Sequence, residues 1–395
     1  MAEFQINYNV HIGAGELENL GVYAKDLGKK ACVLMDKFFR GGKFEKKVAS
    51  LLKENEVDCV FFSDFNPDPD CTEVDKCVEV INANNCDLVI AFGGGSCIDA
   101  AKASAVVAKH GGLCWEYCAQ ALPDGTIGCP KAVTKGKLPL IAIPTTSGTG
   151  SEMSKGAVIS NHEKKVKSGV SHPCMVPDIS LIDPLLTIDL PPEQTAYTGI
   201  DAFCHAFESY MLSTSSNLSE ATALQAIRLV GKSLVKAVKD GKDIQARTDM
   251  ANASNLAGYN ILLTNTTVGH LIGQQLSGLF KMSHGQTLAV TLEAIINWTY
   301  PCGKERLADV AVALRPEIGA LSVDEQAKAL SGIITDIKEQ CGINTRLSDF
   351  GVTEADIPKV MEYLDKNLGF DHPIWLTHVK VPKKEDFIEI LKNSL

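Results

Sequence analysis

An α/β unit built on a parallel sheet, followed by an all-helical unit, is the fold class that the sequence predicts. Three observations lead there. Through the first half, short apolar runs of strand length alternate with helical stretches, the order of a parallel sheet with helices on both faces. Beyond about Leu190 the strand-like runs stop and helical periodicity continues to the end. Between the two regimes lies a proline-rich stretch, Asp183-Pro184 to Pro191-Pro192, which reads as a boundary. The predicted parts are therefore residues 1–187 and 188–395. A chain of 395 residues is too long for one ordinary core, and its 45% hydrophobic content is ample for two.

In order along the first part, buried strands are expected at Lys30–Asp36, Cys59–Ser63, Asp87–Phe92, Leu138–Pro144 and Ile179–Ile182. The segment from Gly111 to Lys137 contains Gly and Pro and has little periodicity, so a surface excursion is expected there. In the second part, turns such as Asp240-Gly241 and Leu368-Gly369-Phe370 separate the helices. No internal repeat or low-complexity segment interrupts the pattern.

The strand Leu88 to Phe92 ends in Gly93-Gly94-Gly95-Ser96 and opens at once into an Ala-rich helix. Glycines at that junction let backbone N–H groups approach a phosphate at a helix N-terminus. Ser96 is expected as the N-cap, with Asp99 three residues on completing a capping-box pattern. A second loop, Pro144-Thr145-Thr146-Ser147-Gly148-Thr149-Gly150-Ser151-Glu152, follows another strand and is dense in hydroxyls suited to ribose and phosphate oxygens. The ordinary dinucleotide fingerprint G-x-G-x-x-G is absent, and no acidic residue ends a strand ~20 residues downstream. Asp36 instead ends an earlier strand.

The second part carries a different chemistry. Asp201 and His205 stand four residues apart in a helical stretch, which puts carboxylate and imidazole on one face, a turn apart. His270 and His284 follow downstream, fourteen residues from each other. Together they would form an Asp-His-His-His set of nitrogen and oxygen donors, suited to iron(II) or zinc rather than calcium. Three neutral imidazoles and one carboxylate leave a divalent ion with net positive charge, the requirement for a Lewis acid. With the glycine cradle in one part and these ligands in the other, the reaction centre is expected in the cleft between them.

Composition narrows the partners. A net charge of −10 argues against nucleic acid, and any anionic ligand must be held by local groups. The N-terminal residues include Glu3 where a signal peptide carries basic residues, and no apolar run approaches the ~18 residues of a membrane span. Thirteen cysteines without a regular framework suggest free thiols in a reducing compartment, so a cytoplasmic protein is expected.

The runs Gly93–Lys102, Pro144–Glu152 and Gly199-Ile-Asp-Ala-Phe-Cys-His-Ala-Phe-Glu208, with His270 and His284-Gly285, resemble the iron-containing (group III) alcohol dehydrogenases over nearly the whole length. The resemblance implies a nucleotide-binding α/β domain, an all-helical metal domain, and a homodimer or higher homo-oligomer formed through the N-terminal domain. Asp201, His205, His270 and His284 would be the ligands of Fe(II), with Zn(II) the other candidate. Gly94, Gly95, Ser96 and Asp99 would form the cofactor cradle, Thr145, Thr146 and Thr149 the second cofactor loop, and Lys167 a further cofactor contact. Asp36, placed for the ribose diol, would favour NAD(H) over NADP(H). The expected reaction is hydride transfer between NAD(H) and a small alcohol/aldehyde pair, in the direction of aldehyde reduction. Where many members have a histidine four residues after the third ligand, this chain has Gln274, which cannot titrate near neutral pH. Lys155, just past the Thr-rich loop, raises the expectation of an aldehyde bearing a negative group. Competing readings are a polyol dehydrogenase or NAD-using cyclising lyase of the same fold and, in another class, a non-catalytic NAD-binding protein.

Overall fold

The computed structural model describes residues 9–122, 127–164, 166–343 and 346–395. The chain forms two compact units. One runs to Thr146 and resumes over Ser151–Thr187; the other joins Ser147–Gly150 to Ile188–Leu395.

The first unit is an α/β layer structure. Its strands are β1 (Asn9–Ile12), β2 (Lys30–Met35), β3 (Asp58–Phe62), β4 (Leu88–Gly93), β5 (Gln120–Ala121), β6 (Ile127–Gly128), β7 (Leu140–Pro144), β8 (Gly156–Asn161), β9 (Val166–Ser171) and β10 (Ile179–Ile182). Its helices are α1 (Leu20–Ala24), α2 (Lys43–Glu54), α3 (Cys71–Ala83) and α4 (Gly95–His110). Six strands make one sheet in the order β1-β10-β7-β4-β2-β3, every pair parallel. Helices cover both faces, so alternate residues of a strand enter different cores. Cys32, Leu34, Val89 and Ala91 go to one, and Val33, Met35, Ile90 and Phe92 to the other. This explains why the strands read as unbroken apolar runs.

Three departures from the sequence reading have physical causes. The edge strand β1 and the antiparallel hairpin β8–β9 are additional to the expected strands; β9, Val166-Lys-Ser-Gly-Val-Ser171, is polar and buries only Val170 fully, so it lacks the apolar signal of a core strand. The segment 111–137 is not only a surface excursion, because Cys114, Tyr117 and Cys118 are buried in the core beside α3 and α4. Three anchors within one turn leave no period to read. Finally, Ser96 is not the N-cap of α4. Gly94 holds that position and no side chain caps it. Ser96 Oγ instead accepts the Asp68 N–H at 3.1 Å.

The second unit is helical: α5 (Pro192–Tyr210), α6 (Asn217–Lys239), α7 (Ile244–Leu263), α8 (Val268–Phe280), α9 (His284–Thr299), α10 (Lys304–Leu314), α11 (Val323–Cys341), α12 (Ile357–Asn367) and α13 (Lys384–Asn393). Helix α5 is its axis. From Thr195 to Tyr210 only Thr198 escapes full burial, and α5 packs against α6, α7 and α9. A helix buried all round must satisfy every polar side chain it carries, which makes Asp201, His205 and Glu208 conspicuous. Among the described residues no helix is long and apolar enough to cross a membrane.

Candidate metal centre and cofactor cradle

Helix α5 presents Asp201 and His205 one turn apart on the same face. His270 sits in the first turn of α8, and His284 opens α9. The short link between those helices turns at Lys281, in the left-handed region at φ 54°, and Ser283 N-caps α9. The ligand atoms of all four residues lie within 4.8 Å of one another. Asp201 Oδ1 stands 3.5 Å from His205 Nδ1, from His270 Nε2 and from His284 Nε2.

Those separations are too long for good hydrogen bonds. Asp201 Oδ1, His205 Nδ1 and His270 Nε2 are buried and have no hydrogen-bond partner. Buried polar atoms without partners are rare because each costs ~1–3 kcal/mol, and here three converge on one point. One metal ion would satisfy them together. Donors bound tetrahedrally at ~2.1 Å would be about 3.4 Å apart, close to the spacing seen.

The electrostatics agree. Burial opposes charge on Asp201, but His205 and His284 hold its carboxyl well below the usual range. Burial pushes His205 down to about 4. For His270 burial acts in the same downward sense, yet the charges of Glu208 and Asp201 and the bond to Glu208 prevail and raise it to about 9. The two carboxylates thus favour positive charge at His270, which a divalent ion at Nε2 supplies. His284 alone keeps appreciable exposure, 35% of its side chain, so the cluster is reached from its side.

In the α/β unit, Asp36 follows β2 directly, and its Oδ1 accepts the Phe38 N–H at 3.2 Å. A Cβ on Gly93 would lie 3.2 Å from the Asp36 Cβ, and one on Gly94 would lie 3.4 Å from Thr146 Cγ2. Thr145 N–H donates to the Gly93 carbonyl at 3.0 Å. Asp36, Gly94, Gly95, Thr145 and Thr146 therefore gather at the carboxyl ends of β2, β4 and β7. The chain passes from β2 outward to β3 and then back to β4 on the other side, so the gap between β2 and β4 is the topological switch point where open α/β sheets bind ligands.

Other expected residues fall elsewhere. Asp99 faces the segment after the Thr-rich loop, accepting from Ser151 Oγ and from Val158 N–H. Thr149 belongs to the stretch counted with the helical unit, where Gly148 meets Thr198 and Gly150 meets Gly258. Lys167 pairs with Asp68 at 2.8 Å, the residue whose N–H binds Ser96. Lys155 is half-buried ahead of β8, and Gln274 is half-buried one turn beyond His270 on α8.

Residues 7–184 match the family described as iron-containing alcohol dehydrogenase, and residues 195–395 match the C-terminal part of the same family. The chain belongs to the iron-containing alcohol dehydrogenase family. It is 33% identical over 387 residues to the NAD-dependent methanol dehydrogenase of Bacillus methanolicus, with 97% of each chain covered. A solved 1,3-propanediol oxidoreductase resembles it with a TM-score of 0.92 at 30% identity, covering 100% of both chains. The sulfoacetaldehyde reductase of Bifidobacterium kashiwanohense, solved in complex with NAD+, has a TM-score of 0.86 at 27% identity, covering 100% of this chain and 98% of the other.

Two buried charged residues next to these clusters carry no motif of their own. Glu208 is buried beside His270, its Oε1 2.7 Å from His270 Nδ1. Lys102 is buried and donates to Ser151 Oγ and Ser154 Oγ, each at 3.0 Å, and to the Gly156 carbonyl at 2.9 Å. Both close a family-like run, Gly199–Glu208 and Gly93–Lys102, at helical offsets of seven residues from Asp201 and three from Asp99.

Proposed function

We propose that the protein transfers hydride between NAD(H) and a small alcohol/aldehyde pair, chiefly in the direction of aldehyde reduction, with Fe(II) as the resident metal and Zn(II) the alternative for the same nitrogen and oxygen donors. The observation that carries this reading is the convergence of three partnerless buried ligand atoms with His284. Bound there, a divalent ion supplies positive charge to a substrate oxygen, while the nicotinamide supplies or accepts the hydride.

The chain's own residues do the rest. Asp201, His205, His270 and His284 hold the ion. Gly94 and Gly95 allow close backbone approach to the cofactor phosphates, with Ser96 beside them. Asp36 accepts from the adenosine ribose diol, and Thr145, Thr146 and Thr149 offer hydroxyls. Lys167, paired with Asp68, and Asp99, which accepts from Ser151, complete the proposed cofactor contacts. Gln274 offers an amide in place of a titrating imidazole, so it orients water or cofactor without relaying a proton. The thirteen cysteines are all free thiols, in keeping with a cytoplasmic enzyme.

A narrower reading concerns the substrate. Lys155 and the likeness to a sulfoacetaldehyde reductase support an aldehyde that carries a carboxylate, sulfonate or phosphonate. The test is metal analysis of the purified protein combined with NADH consumption over a panel of charged and uncharged aldehydes, before and after metal stripping. Metal-dependent turnover is expected. Cofactor binding with no turnover on any aldehyde or polyol would favour the non-catalytic alternative.

A further inference from the structure

We infer that Glu208 is a positioning residue of the metal centre, whose carboxylate fixes the tautomer and placement of His270 and thereby sets how tightly the helical unit holds its ion. The inference rests on the metal-site reading above. Glu208 lies on α5 seven residues after Asp201, two turns along the same face, and is 3% exposed. It points at the start of α8. The N-cap there, Thr267, makes no side-chain cap, so the first N–H groups of a buried helix need an acceptor from elsewhere.

Glu208 provides it. Oε2 accepts the Thr267 N–H at 2.5 Å, and Oε1 accepts the His270 N–H at 3.1 Å. The same Oε1 lies 2.7 Å from His270 Nδ1. A carboxylate only accepts, so Nδ1 carries a proton, and in the neutral ring that a metal requires Nε2 is the nitrogen left with its lone pair. That lone pair belongs to the atom 3.5 Å from Asp201 Oδ1. Backbone and ring of one ligand are thus bonded to one oxygen, and a displaced carboxylate would move both. Gly269 makes room for it: a Cβ there would lie 2.6 Å from Glu208 Oε1. Partners that bind the far nitrogen of a ligating histidine raise its basicity and orient its ring, and their loss costs ~10–100-fold in metal affinity.

The experiment is anaerobic titration of metal-free protein with Co2+, followed by its visible absorption, together with zinc release to a chelator. It compares native protein with Glu208→Gln, Glu208→Ala and Gly269→Ala, each checked for helix content. Glu208→Gln keeps size but loses charge, and Gly269→Ala keeps the carboxylate but displaces it. Both are expected to weaken binding ~10–100-fold and to speed release. Native affinity and release in the folded Glu208 and Gly269 variants would overturn the inference and leave only a helix cap. If Glu208→Ala does not fold, Glu208→Gln and Gly269→Ala decide. His270→Ala and Asp201→Asn separate the two readings. If they also bind Co2+ like native protein, the metal site itself is wrong; if only they lose it, the site stands and Glu208 is a cap.

Discussion

Gly285 is pressed against Tyr197: a Cβ on the glycine would lie 2.6 Å from the Tyr197 carbonyl oxygen and 2.9 Å from its Cβ. Tyr197 precedes Asp201 by one turn of α5, and Gly285 follows His284 at the start of α9. The contact fixes the distance between the helices that carry Asp201 and His284. The glycine next to His284 is therefore a matter of clearance, and its need is set by backbone rather than by a side chain that could rotate away.

Gly285→Ala should accordingly push the first turn of α9 off α5. Overpacking against backbone costs ~1–3 kcal/mol, and the shift also moves His284. A lower Tm and weaker metal retention are expected together. Gly278→Ala is the matched control on α8, because nothing lies within 4 Å of its Cβ. It should be neutral or stabilising by up to ~1 kcal/mol. Equal Tm and equal metal content in both variants would count against the clearance argument.

Much of this was legible in the sequence, and the reason is local. The runs of β4 and β7 declare themselves because both faces are buried, and the Asp201–His205 spacing holds on any α-helix. What was not legible depends on tertiary contacts. Ser96 looked like an N-cap by spacing, but the backbone of Asp68, itself at φ 56°, turns its N–H toward that hydroxyl. Glu208 gains its partner only when α8 packs beside it, which its spacing on α5 alone does not disclose. The hairpin β8–β9 carries its signal in pairing, not in composition.

Removing one imidazole from the cluster should release the ion and stop turnover together. For His270→Ala and His284→Ala, metal stoichiometry well below that of native protein is expected, with activity down by more than about a hundredfold, since even outer partners of a metal site cost ~10–100-fold. Stripping native protein with a chelator should lower its Tm, because Asp201 Oδ1 and His270 Nε2 then lose their shared partner. Full occupancy with native turnover in either variant would remove that histidine from the set.

Asp36 bears on cofactor choice. It stands at the switch point beside Gly93, where a carboxylate accepts from a ribose diol and repels an added phosphate. Asp36→Gly is expected to shrink the ratio of kcat/KM for NADH over NADPH by at least ~10-fold, equivalent to about 1.4 kcal/mol. A ratio that the substitution leaves unchanged would place the cofactor ribose elsewhere.

Lys102 predicts an alkaline effect on stability. Burial pushes its ammonium down to about 8, with the charges of Asp99 and Glu152 offsetting only part of that. The unfolded chain titrates this lysine near 10.5, so between those values the unfolded state binds more protons than the folded one. Raising the pH through that window therefore favours the folded state at this site. The stability of native protein relative to Lys102→Met, from denaturant midpoints, should rise between pH about 8 and about 10.5. A difference that stays flat or falls across the window would mean that burial does not lower this lysine's pKa, its partners compensating the charge in full.

Lys155 gives the most specific prediction about substrate. It follows the turn Ser151–Met153 and is anchored by its carbonyl, which accepts the His172 N–H at 3.1 Å, so the backbone beneath the side chain is fixed. The chain's net charge of −10 disfavours an approaching anion, and a cation at the substrate would be needed to offset that field. A charge-assisted hydrogen bond of ~1.5–3 kcal/mol corresponds to a preference of about 10- to 100-fold for the charged aldehyde. If the lysine binds ground and transition states alike, the change appears in KM while kcat holds. Lys155→Met should therefore raise KM for a sulfonated or carboxylated aldehyde and leave that for a matched alkyl aldehyde nearly unchanged. Native protein that prefers the alkyl aldehyde by the same factor as Lys155→Met would exclude this role and point to ordinary alcohols as substrates.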